Sequence, residues 1–158
     1  MTRDQRATPN SHPERNTIGR PITLRTAHES LGRPRTVLII DDDEGIRAAL
    51  ADIVHDEGVV VATASDGARA LDYLGSNTPQ LIFLDLMMPG VNGWEFITEI
   101  RRRESAHAIP IVLVSSARSL PEEAARLGVW HYLRKPFQLV DVTRAIQQRF
   151  AVCTTRNS

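Results

Sequence analysis

Short apolar runs alternate with longer amphipathic stretches along most of the chain. The runs are rich in Val, Ile and Leu and contain few polar residues, which is typical of buried parallel strands. From Thr36 onward they lie at 37–40, 59–62, 81–84, 111–114 and 129–133. After each run, apolar residues recur at helical spacing within 44–56, 66–74, 92–103, 121–127 and 138–150. The pattern therefore predicts five strands that alternate with five helices.

Alternating strands and helices indicate an α/β domain built on a parallel sheet. In such sheets, ligands bind outside the carboxyl ends of the strands. The first predicted helix illustrates the helical spacing, with Ile46, Ala49, Leu50 and Ile53 on one side. The residues that directly follow each apolar run are therefore the candidates for function.

Composition narrows the class of protein. The 158 residues suffice for one domain with a core, and 42% hydrophobic and 24% charged residues are ordinary for a globular protein. No apolar run reaches the roughly 18 residues of a membrane span, and no apolar stretch follows the first arginines as in a secretory signal. Cys153 is the single cysteine, so no internal disulfide can form. We expect a cytoplasmic protein with no membrane contact.

The beginning of the chain differs from the rest. Residues 1 to 35 contain seven arginines, three acidic residues and four prolines, and they show almost no apolar periodicity. We therefore expect 1–34 to be a disordered, mildly basic tail, 35–150 to be the folded domain and 151–158 to be a short C-terminal tail. Such a tail can contact nucleic acid or an acidic partner, although a solvated extension is the simpler interpretation.

Charged and hydroxyl side chains follow four of the five apolar runs. In "VLIIDDDE" the first run leads into four carboxylates at 41–44. Asp85 follows the third run, Ser115 the fourth and Lys135 the fifth. Because the carboxyl ends of the strands in a doubly wound sheet meet at one edge, we expect these side chains to converge.

Three converging carboxylates, those of Asp41, Asp42 and Asp85, repel one another and need a counter-charge. A helix N-cap can explain one aspartate after a strand, and Asp43 or Glu44 suits that role, but capping does not explain all four acids. A hard divalent cation supplies the counter-charge, and magnesium (Mg²⁺) accepts carboxylates together with water and phosphate oxygens. The sequence therefore predicts a Mg²⁺ site that costs stability without metal. The first strand is followed by no glycine-rich turn, which disfavours a nucleotide cofactor.

Lys135 is the only lysine in a chain with eighteen arginines. A lysine is a compact point charge, whereas an arginine is a planar fork, so a pocket that brings one positive charge to a phosphoryl or carboxylate oxygen favours lysine. A chance surface position is the alternative. The peptide bond between Lys135 and Pro136 is a candidate cis bond.

Taken together, these motifs resemble the receiver domain of two-component response regulators. "VLIIDDDEGIR" resembles the acidic-pair strand, "LIFLDLMMPGVNGWEF" the phosphoacceptor strand and its loop, "IPIVLVSSA" the switch-hydroxyl strand and "YLRKPF" the lysine–proline strand. The resemblance covers about 36–150, and four motifs in order make it specific. It implies a doubly wound five-stranded parallel sheet in the flavodoxin-like order 2-1-3-4-5, with helices on both faces.

The resemblance also implies roles for the residues at the strand ends. Asp85 is expected to be the phosphorylated aspartate and a metal ligand. Asp42 is expected to bind Mg²⁺ directly, Asp41 partly through water, and Met87 through its backbone carbonyl.

Three further residues are expected to read the phosphorylated state. Lys135 is expected to pair with the phosphoryl oxygens and Ser115 to form a hydrogen bond with them. Tyr132 is expected to be the aromatic switch, turning inward as Ser115 moves toward the phosphate.

Partners follow from the same resemblance. The phosphoryl donor is expected to be a histidine kinase or a phosphotransfer protein, and a downstream protein is expected to bind the face formed by the fourth helix, fifth strand and fifth helix. The sequence ends eight residues after Phe150, so we expect a stand-alone receiver with no DNA-binding output domain. We expect a phosphoacceptor signalling protein that acts by protein contacts or phosphorelay, and that catalyses only its own phosphorylation and dephosphorylation.

Two alternatives belong to other classes of protein. A Mg²⁺-dependent phosphatase of the haloacid-dehalogenase type also uses an aspartate at a strand end, but it needs a second aspartate two residues later as general acid. Met87 stands there and cannot transfer a proton. A degenerate receiver that only binds partners is the other alternative, although the acids, hydroxyl and lysine of the site are all in place.

Overall fold

The computed structural model describes residues 34–151, which contain five strands and five helices in strict alternation. The strands are β1 (Thr36–Ile40), β2 (Val60–Ala64), β3 (Leu81–Leu84), β4 (Ile111–Ser115) and β5 (His131–Arg134). The helices are α1 (Glu44–Asp56), α2 (Gly67–Leu74), α3 (Gly93–Arg102), α4 (Leu120–Leu127) and α5 (Leu139–Ala151). All ten predicted elements are present. The two predicted tails, 1–34 and 151–158, lie almost entirely outside the described residues.

The strands form one parallel sheet in the order β2-β1-β3-β4-β5, which confirms the predicted topology. This order leaves β2 and β5 at the edges. The prediction of buried strands is correct for β1, β3 and β4, but it is wrong for the edge strands, in which most residues are partly or fully exposed. An edge strand has a neighbour on one side only, so less of its surface is covered.

Helices cover both faces of the sheet and bury two separate cores. Successive side chains of a strand point to opposite faces, so Leu38 and Ile40 belong to one core and Val37 and Ile39 to the other. The first core is closed by α2, α3 and α4, and the second by α1 and α5. Each fully buried Leu or Ile stabilises the fold by about 1.5–3 kcal/mol. The three central strands are therefore a firm support for the residues at their carboxyl ends.

Local sequence fixes where the helices begin and end. The carboxylate of Asp43 accepts a hydrogen bond from Ile46 N at 3.0 Å, which confirms one of the two residues predicted to cap α1. Asn92 and Glu95 form a reciprocal capping box at the start of α3. Gly128 ends α4 with a φ of +62°, a conformation that glycine adopts without strain.

One detail of the first helix differs from the pattern read in the sequence. Ala49 is exposed, and the fully buried positions are Leu50 and Val54. The buried stripe is therefore centred on these two residues, one turn apart, with Ile46 and Ile53 at its margins. Within residues 34–151, every helix is too short or too polar to cross a lipid bilayer.

Candidate functional site

The carboxyl ends of four neighbouring strands bring the predicted site residues together. Asp41 directly follows β1, Asp85 follows β3, Ser115 is the last residue of β4 and Lys135 follows β5. Asp41 and Asp85 are only 1% and 5% exposed, and Ser115 is fully buried. The convergence that the sequence predicted at this edge of the sheet is therefore present.

Lys135 lies between the two buried carboxylates. Its Nζ donates to Asp41 Oδ2 at 2.7 Å and lies 3.3 Å from Asp85 Oδ2. The lysine side chain is itself only 16% exposed, so the alternative of a chance surface position is wrong. The peptide bond between Lys135 and Pro136 is cis, as the sequence suggested.

Backbone contacts hold both carboxylates in place. Asp41 Oδ1 accepts a hydrogen bond from Asp43 N at 2.9 Å, so with Lys135 both of its carboxylate oxygens are engaged. Asp85 Oδ1 accepts a hydrogen bond from Met87 N at 3.1 Å. Arg47 also contributes, because its Nη1 donates to the backbone carbonyl of Asp41 at 2.7 Å. The sequence gives no sign of this contact, because the acceptor of Arg47 is a main-chain atom.

Burial and charge shift the pKa values of the central pair. Burial raises the pKa of Asp85, and the nearby Asp41 charge adds to this, while the Met87 N–H and Lys135 act in the opposite direction. Burial by itself would lower the pKa of Lys135, but its hydrogen bond to Asp41 and the charges of Asp85 and Asp41 outweigh burial, so that pKa is raised. The ammonium is thus held firmly in its charged form.

The donor set of the site fits a hard divalent cation. Asp41, Asp42 and Asp85 each offer one carboxylate oxygen, and the three oxygens lie within 4.8 Å of one another. Unlike the other two acids, Asp42 is exposed, which leaves room for water ligands. When ionised, three carboxylates and one ammonium leave a net charge of −2, which a divalent cation neutralises. Ligation by the Met87 carbonyl stays a prediction.

The two residues predicted to act as a switch occupy different environments. Ser115 is buried, and its Oγ accepts a hydrogen bond from Ala117 N at 3.3 Å. Tyr132 lies on the edge strand β5 and is 39% exposed. Its ring therefore lies partly in solvent, and its role as a switch stays a prediction.

A glycine brings α3 close to the candidate phosphoacceptor. A Cβ at Gly93 would lie 2.7 Å from both Asp85 O and Leu86 Cα, closer than real Cβ contacts allow. Gly93 N also donates to Leu86 O at 3.1 Å. The first turn of α3 thus packs directly on the main chain that carries Asp85, and only glycine fits there without a shift.

Comparisons with known proteins agree with this geometry. A family model described as the response regulator receiver domain matches residues 37–147. The chain is 37% identical over 129 residues to the transcriptional regulatory protein PdtaR of Mycobacterium tuberculosis, covering 80% of this chain and 62% of that protein. It is 34% identical over 111 residues to the response regulator MprA of a Mycobacterium strain, covering 69% of this chain and 47% of MprA. The chain thus spans about half the length of MprA.

Solved structures show the same architecture. The chemotaxis protein CheY4 of Vibrio cholerae matches with a TM-score of 0.68 at 27% identity, covering 75% of this chain and all of CheY4. The sheet order and the acidic edge described above are thus accompanied by a family match over more than half of the chain. This protein therefore belongs to the response regulator receiver domain family.

Proposed function

We propose that this chain accepts a phosphoryl group on the carboxylate of Asp85 in a Mg²⁺-dependent reaction and signals through protein contacts or phosphorelay. The observation that carries the proposal is the pairing of buried Asp85 with Lys135 at 3.3 Å, beside two further carboxylates within 4.8 Å. The proposed donor is a phosphohistidine on a histidine kinase or a phosphotransfer protein.

The transfer forms one bond and breaks another. A carboxylate oxygen of Asp85 attacks the phosphorus, a P–O bond forms, and the P–N bond to the donor imidazole breaks with its electron pair on nitrogen. The Met87 N–H fixes the orientation of the attacking carboxylate, and Lys135 pairs with a phosphoryl oxygen. Mg²⁺ bound by Asp42 and Asp85, by the Met87 carbonyl and by Asp41 partly through water would neutralise phosphoryl charge.

The new charge is then read by Ser115 and Tyr132. A phosphoryl group on Asp85 adds oxygen acceptors close to the buried end of β4, and the Ser115 hydroxyl donates to one of them. Tyr132 turns into the space that Ser115 leaves. Because Tyr132 lies on β5, its movement changes the face formed by α4, β5 and α5, where we propose that the downstream protein binds.

The test is phosphorylation by a small donor. The protein incubated with acetyl phosphate and Mg²⁺ should gain one hydroxylamine-labile phosphoryl group, detected by intact-protein mass spectrometry, and EDTA should prevent it. Asp85→Asn should abolish labelling. Asp52→Asn, which removes an exposed carboxylate on α1, is the matched control and should label like the wild type. Full labelling of Asp85→Asn would contradict the proposal.

The same experiment separates the two alternatives. A degenerate receiver that only binds partners would take up no phosphoryl group. A phosphatase would release inorganic phosphate while little phosphoprotein accumulates, and it would require a general acid where Met87 stands. We therefore expect a stoichiometric phosphoprotein whose only catalysis concerns its own phosphoryl group.

A further inference from the structure

The loop between β4 and α4 is held at one residue from two sides. Ala117 N donates to Ser115 Oγ at 3.3 Å, and Ala117 O accepts a hydrogen bond from Arg134 Nη1 at 2.9 Å. A longer contact of 3.5 Å joins Arg134 Nη2 to Arg118 O. The guanidinium of a β5 residue thus spans two successive carbonyls of the loop.

Sheet register explains how this arginine reaches the loop. Arg134 is the partner of Ser115 across the β4–β5 pair, and Lys135 N donates to Ser115 O at 3.0 Å. The side chain of Arg134 therefore starts beside the residue that ends β4 and reaches the two residues that lead toward α4. A planar fork can bridge two carbonyls in this way, whereas a lysine can only place one charge near them.

Movement of Ser115 toward Asp85 has to disturb these contacts. The N–H of Ala117 donates a hydrogen bond to the Ser115 hydroxyl, so a shift of Ser115 either breaks this bond or displaces the loop at Ala117. Arg134 holds the other side of the same residue. Because Arg134 is exposed, its hydrogen bonds compete with water and are weak enough to be broken during signalling.

We propose that Arg134 is a positioning residue that holds the β4–α4 loop in its resting conformation and so sets how readily Ser115 engages the phosphorylated site. The proposal rests on the proposed function, since it concerns the response to phosphorylation. We call the hydrogen bonds from Arg134 to the carbonyls of Ala117 and Arg118 the latch. Loss of the latch should favour the activated conformation before any phosphoryl group is added.

Beryllium fluoride, a mimic of the acyl phosphate, provides the test. Its affinity in the presence of Mg²⁺ is measured by tryptophan fluorescence in the full chain. Arg134→Met removes both donors and should bind the mimic about three- to tenfold more tightly, the range expected for hydrogen bonds of this kind. Arg134→Lys keeps the charge and should show a smaller gain.

The matched control removes a charge without removing the latch. Arg118→Met takes a positive charge from the same loop and keeps the Arg118 carbonyl, so it should bind the anionic mimic no more tightly than the wild type does. A second readout is amide hydrogen exchange at Ala117, which should accelerate in Arg134→Met while exchange at Val114 stays unchanged. A merely structural role of Arg134 would change the melting temperature but not the affinity for the mimic.

The outcomes distinguish the two proposals. Suppose that the wild type binds beryllium fluoride and that Arg134→Met binds it no more tightly than Arg118→Met does. This result would overturn the latch and leave the proposed function standing. A wild-type protein that neither binds the mimic nor accepts phosphate from acetyl phosphate would overturn both. If Arg134→Met does not fold, Arg134→Lys decides the question through the same affinity ratio.

Discussion

The three acids of the site should affect the stability of the metal-free protein with opposite signs. We consider Asp41→Asn, Asp42→Asn and Asp85→Asn, each measured in EDTA. Both carboxylate oxygens of Asp41 accept hydrogen bonds, one from Asp43 N and one from Lys135 Nζ. An asparagine has a single amide oxygen, so its NH₂ group must face one of these donors. Asp41→Asn should therefore destabilise the fold.

The other two acids should instead destabilise the metal-free fold. Asp42 is exposed and lies within 4.8 Å of two other carboxylates, measured between the nearest possible ligand oxygens. At the dielectric constant of water, each such repulsion is about 0.9 kcal/mol. Asp85 accepts a hydrogen bond from Met87 N and lies 3.3 Å from Lys135 Nζ, but burial first and the Asp41 charge next raise its pKa, so its ionised form is unfavourable. In Asp85→Asn, Lys135 would still have Asp41 as its hydrogen-bond partner. Both Asp42→Asn and Asp85→Asn should therefore stabilise the metal-free fold.

The expected magnitudes are large enough to measure. Removing one partner of a buried ion pair costs about 3–5 kcal/mol, and an unsatisfied buried donor costs about 1–3 kcal/mol, so we expect a loss of about 3 kcal/mol for Asp41→Asn. For Asp42→Asn we expect a gain of about 1 kcal/mol, after the lost attraction to Lys135 offsets part of the relieved repulsion. In a domain of this size, 1 kcal/mol shifts the melting temperature by about 4 °C.

The assay is thermal unfolding followed by circular dichroism, first in EDTA and then with Mg²⁺. Mg²⁺ that binds only the folded state stabilises the wild type by RT ln(1 + [Mg²⁺]/Kd), and Asp42→Asn should lose much of that gain. Asp52→Asn on the exposed side of α1 is the control and should stay within about 0.5 kcal/mol of the wild type. A lower metal-free melting temperature for Asp42→Asn, or a higher one for Asp41→Asn, would refute the electrostatic account.

Three further predictions concern other parts of the site and its neighbours. Lys135→Arg should still accept phosphate from acetyl phosphate but should lose the fluorescence change on adding beryllium fluoride, because the larger fork displaces the phosphoryl oxygens; a wild-type spectral change would contradict this. Gly93→Ala should cost about 2 kcal/mol in urea unfolding and slow phosphorylation, since its Cβ would meet the Asp85 main chain, whereas Gly45→Ala, with one contact at 3.3 Å to a side chain, should be mild. The hydrogen bond from Trp94 and then Arg126 lower the pKa of Glu123 below its ordinary 4.5. This contribution to stability is therefore complete above pH 4.5 and is lost as the pH falls below it. The free energy of unfolding, measured in urea from pH 6 down to pH 3, should therefore fall less steeply for Trp94→Phe than for the wild type.

The fold could be predicted from the sequence because its central strands are covered on both faces. Runs such as those at 37–40 and 81–84 have to be apolar throughout, and this pattern locates them without further information. The run at 59–62 looks the same, yet it forms part of the edge strand β2. Local composition does not reveal which strand has one neighbour, and the strand order was supplied by the family resemblance.

The main residues of the site were predictable for a related reason, whereas two arginine contacts were not. Asp41, Asp85 and Lys135 follow strands whose ends must meet, so topology alone brings them together. Arg47 and Arg134 were missed as contacts because both donate to main-chain carbonyls. Every residue offers such a carbonyl, so the sequence contains no mark of the acceptor, and only the three-dimensional register identifies the pair.

The single lysine has a practical consequence for chemistry on this protein. Apart from the terminal amine, Lys135 Nζ is the only primary amine in the chain, and it lies in the pocket beside Asp41 and Asp85. Amine-directed reagents, and any acyltransferase that modifies lysine side chains, would therefore have one side-chain target. Burial and the two carboxylates should make that target slow to react, and a phosphoryl group should shield it further. The acylation rate of one amine would then report the state of the pocket without an introduced label.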